Sequence, residues 1–455
     1  MVGPDYEKPQ VSAPEEWHVD LSYSNITEDS LTDLAWTEIF RDEQLKELIL
    51  YALDNNRNML LAIERIEEAR AGARIARASL YPTIDAQLNL EREDESELTN
   101  SNPEQVDEYF LGPAAAWELD LWGRNRRASR SAFASYLAAE YGAQSVRLSI
   151  IADVSRTYFQ LQGIEARLAI NLDTLHAREQ ALVIAGKRHK GGLTSKLEVI
   201  QSEVDLASTR AGLPKVQQSK LVAENQLAIL LGENPGHRTV QQRMRDQYVP
   251  TEVTAGLPSQ LLRRRPDVMR AEQRLIAASE AVGVATAGLY PSIRLTGAGG
   301  FQSDDFDDLT DSDGEFWIIN LDVTMPLFNA GARRAQLSAA ESRFNQSRLG
   351  FEQVVLEAFR EVSDALNLFY KAGETLDAEL ALERASAEYL RLAEKRYRNG
   401  VLAYIDVLDA RRSLFEAQIS VSAGREVQLL ALVTLYRALG GGWDPEVIEA
   451  LAEAR

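Results

Sequence analysis

The residues best placed for chemistry are carboxylates. In Tyr404-Ile405-Asp406-Val407-Leu408-Asp409-Ala410-Arg411-Arg412, Asp406 and Asp409 stand three apart, a spacing that puts both on one face of a helix. On an isolated helix such a pair only solvates an exposed surface. A second acidic run, Asp311-Ser312-Asp313-Gly314-Glu315, hints at a calcium loop, but its glycine falls at the wrong position for an EF-hand. The rest of the chain is chemically sparse. It has no cysteine, so no disulfide and no thiolate metal site is expected. His18, His176, His189 and His237 are scattered and share no ligand spacing. No P-loop, zincin or nucleophile-elbow pattern occurs, so no catalytic residue, metal or nucleotide is expected.

Composition narrows the field further. Among 455 residues, 69 acids against 49 bases give a net charge of −20, which argues against nucleic acid as a partner. No apolar run reaches the roughly 18 residues a transmembrane helix needs. β-Barrel strands leave a much weaker hydropathy trace, so a membrane location stays open. The chain starts at Met1-Val2-Gly3-Pro4-Asp5-Tyr6 without a signal peptide, which reads as a mature or trimmed start.

The positioning elements come in two copies. Lys187-Arg188-His189-Lys190-Gly191-Gly192-Leu193 returns as Lys395-Arg396-Tyr397-Arg398-Asn399-Gly400-Val401, 208 positions later. Leu231-Gly232 returns as Leu439-Gly440, and Leu80-Tyr81-Pro82 as Leu289-Tyr290-Pro291. So long a period indicates duplication of a half-molecule rather than a short solenoid repeat.

Helical pattern begins near Asp42, and a second helix spans about 58–80, ending at Tyr81-Pro82. Its twin starts at Pro266. No proline lies between Pro113 and Pro214 or between Pro326 and Pro445, and both gaps are rich in helix formers. Val154, Leu161, Leu168, Leu175 and Leu182 repeat every seven residues; the twin series is Val362, Phe369, Leu376, Glu383 and Leu390. That period implies coiled-coil-like packing. A helix from Ala128 to Lys190 would be roughly 95 Å long. Gly191-Gly192 and Asn399-Gly400 supply the turns, and return helices run to Leu231 and Leu439. Pro214 is expected to kink or interrupt the first of these.

Between the short and long helices the period changes to two. Ile84–Glu91, Trp117–Leu121, Ile293–Gly297 and Trp317–Met325 alternate apolar with polar residues, as strands do. Acidic loops join them in pairs. The heptad-patterned helices pack on each other, so the apolar sheet face needs another cover. Lipid would serve, but open edges cannot exist in a bilayer. Four strands per chain then demand association: two copies give eight strands, three give twelve with room for a lumen. Asp85, Glu91, Glu118, Asp120 and Asp322 would face an acidic interior. The competing reading is a soluble coiled-coil scaffold or adaptor with a small sheet.

Several runs resemble the TolC-like outer membrane factors, the trimeric efflux channels, and most closely their OprM-like lipoprotein branch. These are Gly3-Pro4-Asp5-Tyr6-Glu7-Lys8-Pro9, Trp36 with Phe40, Trp117-Glu118-Leu119-Asp120-Leu121-Trp122-Gly123-Arg124, Gly256-Leu257-Pro258-Ser259 through Arg264-Arg265-Pro266-Asp267, and Leu435-Tyr436-Arg437-Ala438-Leu439-Gly440-Gly441-Gly442-Trp443. The resemblance covers essentially the whole chain. It implies a mixed α and β membrane protein. Three chains form a 12-stranded outer-membrane β-barrel continued by a 12-helix periplasmic α-barrel with an equatorial α/β belt, on an internal twofold repeat.

The implied division is an extended arm at 1–34, short helices at 35–82 and strands at 83–122 around an extracellular loop at 91–108. A long hairpin follows at 123–232 with its tip near 191–194, then an equatorial linker at 233–257. The second half has short helices at 258–291, strands at 292–326 around a loop at 302–315, a hairpin at 327–440 with its tip near 399–402, and a tail at 441–455.

The resemblance also assigns sites and partners. Asp406 and Asp409 would ring a pore constriction, with Leu408 adding an apolar ring. Tyr397 would help tie the second-half helices shut; Glu198, the position matching Asp406 in the first half, is expected to support this network as a further acid. Leu402 stands where some relatives carry an arginine partner, so Arg411 or Arg412 is expected to replace it. Arg188, Gly192, Arg396 and Gly400 would form the tip that docks a periplasmic adaptor. Trp117 and Trp317 would sit at the membrane interface. An inner-membrane pump would supply the energy, and the duct would pass small molecules from the periplasm outward. Relatives carry an amino-terminal lipid on a cysteine; here that cysteine either lay just upstream of Met1 or was replaced, and the sequence as given cannot be acylated, so anchoring is expected from the barrel alone.

Overall fold

The computed structural model describes residues 1–14, 17–19, 36–94, 105–238, 244–250 and 258–441. Parts of the expected arm, of the first acidic loop and of the linker, and nearly all of the tail, lie outside these residues. The described residues fall into two compact units, Met1–Gln10 with Arg65–Glu140 and Arg270–Gln353, and Val11–Glu64 with Tyr141–Met269 and Val354–Arg455.

The helices are α1 (Trp36–Ile39), α2 (Glu43–Asn55), α3 (Arg57–Ala78), α4 (Arg124–Lys190), α5 (Lys196–Leu230), α6 (Pro258–Arg264), α7 (Pro266–Ala287), α8 (Ala332–Arg398) and α9 (Tyr404–Ala438). The strands are β1 (Thr83–Asp94) and β2 (Gln105–Glu118) after α3, and β3 (Ser292–Ser303) and β4 (Glu315–Thr324) after α7. The duplication survives as equal lengths: 22 residues in α3 and α7, 67 in α4 and α8, 35 in α5 and α9. Pro214 lies inside α5, which runs through it without interruption. α4 begins at Arg124, four residues ahead of the expected start.

The first unit holds a four-stranded antiparallel sheet in the order β1-β2-β3-β4. Paired residues in an antiparallel sheet point to the same side, so the register defines its faces. Ile84 pairs with Ala115, Ala115 with Gly297, and Gly297 with Ile319. That face also carries Leu88, Leu90, Leu111, Trp117, Leu295, Trp317, Leu321 and Val323. The opposite face carries Asp85, Glu91, Glu118 and Asp322, with Glu118 beside Arg294 and Arg294 beside Asp322. Gly112 and Gly300 let β2 and β3 approach closely: a Cβ on Gly300 would lie 2.3 Å from the Leu111 carbonyl oxygen.

Two strand readings are corrected. β2 starts at Gln105, inside the stretch read as loop, and stops at Glu118 rather than Leu121. Asp120 therefore does not join the polar face. Its carboxylate accepts from the Asn125 and Arg126 backbone N–H groups at 3.2 and 2.9 Å and caps the start of α4. Gly123, at φ +85°, makes the turn between them.

Arg127 is 1 % exposed and binds Glu280 at 3.1 Å and Asp5 at 3.0 Å. Those bonds pin the amino-terminal segment within the first unit. In the second unit Asp42 caps α2 and accepts from the Tyr158 hydroxyl and Gln247 Nε2, each at 2.6 Å. Arg265 is held by Asp267, Glu361 and the Ala438 carbonyl. Along α4 and α8 the heptad positions Val154, Leu161, Val362, Phe369 and Leu376 are buried, whereas Leu168, Leu175, Leu182, Glu383 and Leu390, nearer the turns, are half-buried.

Candidate functional site

The two long hairpins of the second unit close with the same turn. Gly192 and Gly400 take φ of +73° and +74°. In the first hairpin Leu193 N–H donates to Arg188 O and Gly192 N–H to His189 O; in the second, Val401 N–H donates to Arg396 O and Gly400 N–H to Tyr397 O. This is the Schellman pattern, which satisfies the last carbonyls of the outgoing helix. It brings the last turns of α4 and α8 beside the first turns of α5 and α9.

Two tyrosines of the second hairpin reach across to the first. The Tyr397 hydroxyl donates to Glu198 Oε2 at 3.0 Å, and the Arg188 guanidinium lies 4.9 Å from the Tyr397 ring centroid, a cation–π distance. Burial and the neighbouring Glu198 carboxylate push the Tyr397 phenol up to about 12. Tyr404 packs 5.4 Å from the Tyr397 ring, centroid to centroid, and its hydroxyl oxygen is 2.9 Å from Ser202 Oγ. Tyr404 forms a small apolar core with Ala393, Val407, Leu408 and Ala410, lined also by Leu390, Tyr397 and Leu402.

The acidic pair lies on the outer side of this core. Asp409 is exposed and accepts from the Tyr389 hydroxyl at 3.3 Å, and Asp406 is half-buried. Burial and these two carboxylates raise the Tyr389 pKa. Leu408 is 7 % exposed and belongs to the core, which corrects its placement as an apolar ring beside the acids. Ile405, 52 % exposed and four residues before Asp409, holds that surface position instead.

Arg411 pairs with Glu394 at 2.8 Å, linking α9 to α8 within the second hairpin, and Arg412 is exposed. Arg396 is exposed, whereas Arg188 is half-buried over Tyr397. Arg178, 8 % exposed in its side chain, pairs with Asp205 at 3.0 Å and lies 5.6 Å from the Phe415 ring centroid. Burial, together with nearby Arg412 and Arg411, lowers its pKa. The sequence reading missed Ser202, Tyr404 and Ile405.

On the sheet, Trp317 is 77 % exposed. Trp117 is half-buried and donates its indole N–H to the Leu80 carbonyl at 3.1 Å. Both lie on the apolar face, Trp317 near the loop end of β4 and Trp117 near the helix end of β2. Among the described residues no acid or histidine cluster could hold a metal ion, and no helix is long and apolar enough to cross a membrane.

A duplicated pair of 67-residue helices joined to a four-stranded sheet defines a class, and the comparisons agree on it. A family profile described as "Outer membrane efflux protein" matches residues 48–233 and 257–441, one match in each half. The probable efflux pump outer membrane protein TtgC of Pseudomonas putida is 32 % identical over 464 residues, covering 99 % of this chain and 94 % of that protein. Outer membrane protein OprJ of Pseudomonas aeruginosa is 34 % identical over 451 residues, covering 97 % and 93 %. The solved structure of the outer-membrane channel OprN superposes with a TM-score of 0.91 at 30 % identity, covering 98 % of this chain and all of that one. The chain belongs to the outer membrane efflux protein family. It is an efflux channel of the Gram-negative outer membrane, a transport protein rather than an enzyme. The soluble-scaffold reading falls with that membership.

Proposed function

We propose that three copies of this chain close into a twelve-stranded barrel in the outer membrane and a helical tunnel below it, forming a passive exit duct for small molecules. The observation that carries this is the sheet. Trp317, Ile319, Leu321 and Val323 are each more than 60 % exposed, and among the described residues β1 and β4 are edge strands. Lipid covers such a face, and only closure with further copies removes the edges. Eight strands would leave an interior just filled by side chains; twelve leave a lumen. That lumen would be lined by the face bearing Asp85, Glu91, Glu118 and Asp322. α3 supports the same reading, because it buries only Ala62, while its twin α7 buries Val268, Leu275 and Val282. The free side of α3 suits a neighbouring chain.

In this reading Trp117 and Trp317 sit at the two membrane interfaces. The Gly192 and Gly400 turns with Arg396 face a periplasmic adaptor, and an inner-membrane pump supplies the energy. The domain division read from the sequence is carried over with this assignment. Within the family we place the chain beside the OprM-like branch on the sequence runs quoted above. Cysteine-linked lipid forms no part of that placement, since the sequence holds no cysteine.

The duct narrows at the tip, where Asp409, Asp406 and Ile405 from three chains ring the pore and the Tyr397–Glu198 bond holds the second hairpin to the first. Carboxylates around a narrow opening favour cations. Asp406→Ala with Asp409→Ala should raise single-channel conductance in planar bilayers and weaken cation preference. Unchanged conductance and selectivity would sink the gate assignment.

A further inference from the structure

The geometry points to a second latch at the tip, the Tyr404–Ser202 hydroxyl pair, acting as a positioning contact that sets how often the channel opens. The inference rests on the gate reading above and adds to it residues that hold the hairpins together. Ser202 Oγ lies 2.9 Å from the Glu198 carbonyl oxygen, one turn back on α5, and 2.9 Å from the Tyr404 hydroxyl oxygen. A serine hydroxyl has one proton to give and two lone pairs. With that proton on the Glu198 carbonyl, the Tyr404 O–H donates to Ser202 Oγ, and both groups are satisfied.

Ser202 is 2 % exposed and Tyr404 is 7 % exposed, so water does not reach the bond while the hairpins are together. Parting them breaks it and exposes both groups before either is resolvated. A buried pair of this kind resists separation more than an exposed one does. Tyr397 and Tyr404 stand on opposite sides of the same turn, the last helical stretch of α8 and the first residue of α9. Their hydroxyls land on Glu198 and Ser202, successive turns of one α5 face. The second hairpin is therefore held at two points, which resists rotation as well as translation.

The duplication supplies no reciprocal bond. The positions matching Ser202 and Tyr404 in the other half are Ala410 and Lys196, neither of which can rebuild the pair. The contact is thus specific to one side of the hairpin pair, and Arg411, committed to Glu394, does not substitute for it.

The test uses the intact channel in planar bilayers. Tyr404→Phe keeps the ring in the apolar core and removes only the hydroxyl; Ser202→Ala removes the acceptor. Each should raise open-state occupancy roughly 2- to 10-fold, the worth of one hydrogen bond in a two-state equilibrium. The double variant should do no more than the larger single one, because both remove the same bond. Effects of the two substitutions that simply add would overturn the latch. So would wild-type occupancy in both variants while Asp406→Ala/Asp409→Ala still widens the pore, and in that case the gate stands. If neither the latch variants nor the aspartate variant alters the current, the gate reading itself falls.

Discussion

At the tip, a phenol donating to a carboxylate makes a bond with a built-in alkaline limit. Tyr397 donates to Glu198 only while protonated, and burial plus that carboxylate push its pKa up to about 12 from an ordinary value near 10. A group whose pKa is raised on folding contributes stability that is fully present below its unfolded value and lost as pH rises through its folded value. The Tyr397 tie should therefore hold below about pH 10 and fail between about 10 and 12. Open-state occupancy in bilayers should climb across that window in the wild type, and Tyr397→Phe should flatten the part of the rise due to this residue. A wild-type rise that Tyr397→Phe leaves intact would assign it elsewhere. Tyr397 could be read from the sequence because the family resemblance marks it, and Glu198 because the duplication matches it to Asp406; their bond to each other could not. Ser202 and Tyr404 could not: a serine on a polar helix and a tyrosine after a turn are ordinary solvated choices until positions 202 apart in sequence are folded together. The exchange of Leu408 for Ile405 has a similar cause. Helical spacing shows that two residues lie on different faces but leaves open which face is inward.

The hairpins show how far local sequence determines an element. Their turns were legible because glycine alone takes a left-handed conformation without penalty, and both copies place it at the same point. Nothing stands within 4 Å of where a Cβ would project from Gly192 or Gly400, so substitution there meets backbone strain alone. Gly400→Ala or Gly192→Ala should cost about 1–2 kcal/mol each, read as a lowered melting midpoint of the purified channel. A neutral result would mean the turn relaxes out of its left-handed state. The strand boundaries were harder to see. β2 contains Gly112-Pro113-Ala114-Ala115-Ala116, and alanine on both faces erases the apolar–polar alternation that marks a strand. Its register is set by β1 and β3 rather than by its own pattern. At its far end the alternation continues through Asp120, but capping α4 wins that side chain. Pro214 does not interrupt α5 for a related reason: a helix held by packing along 35 residues tolerates a missing N–H that would break an isolated one.

For the whole molecule, duplication explains economy and asymmetry together. One half-unit, used twice, supplies two strand pairs and two hairpins of matched length, and three chains would supply a near-sixfold tube. The copies then diverge around the tip: Tyr397 against His189, Asp406 against Glu198, Asp409 against Gln201, Tyr404 against Lys196. The proposed tubular assembly rests on argument, from an apolar sheet face whose β4 side chains are exposed in the single chain. The central claim is that this face and its open edges are completed by exactly two more copies in a lipid environment. Native mass spectrometry of the channel, extracted from outer membranes in mild detergent, measures that directly. The account requires three chains per particle, with no stable species in detergent-free buffer. A monodisperse monomer in plain buffer, or a two-chain particle in detergent, would contradict it.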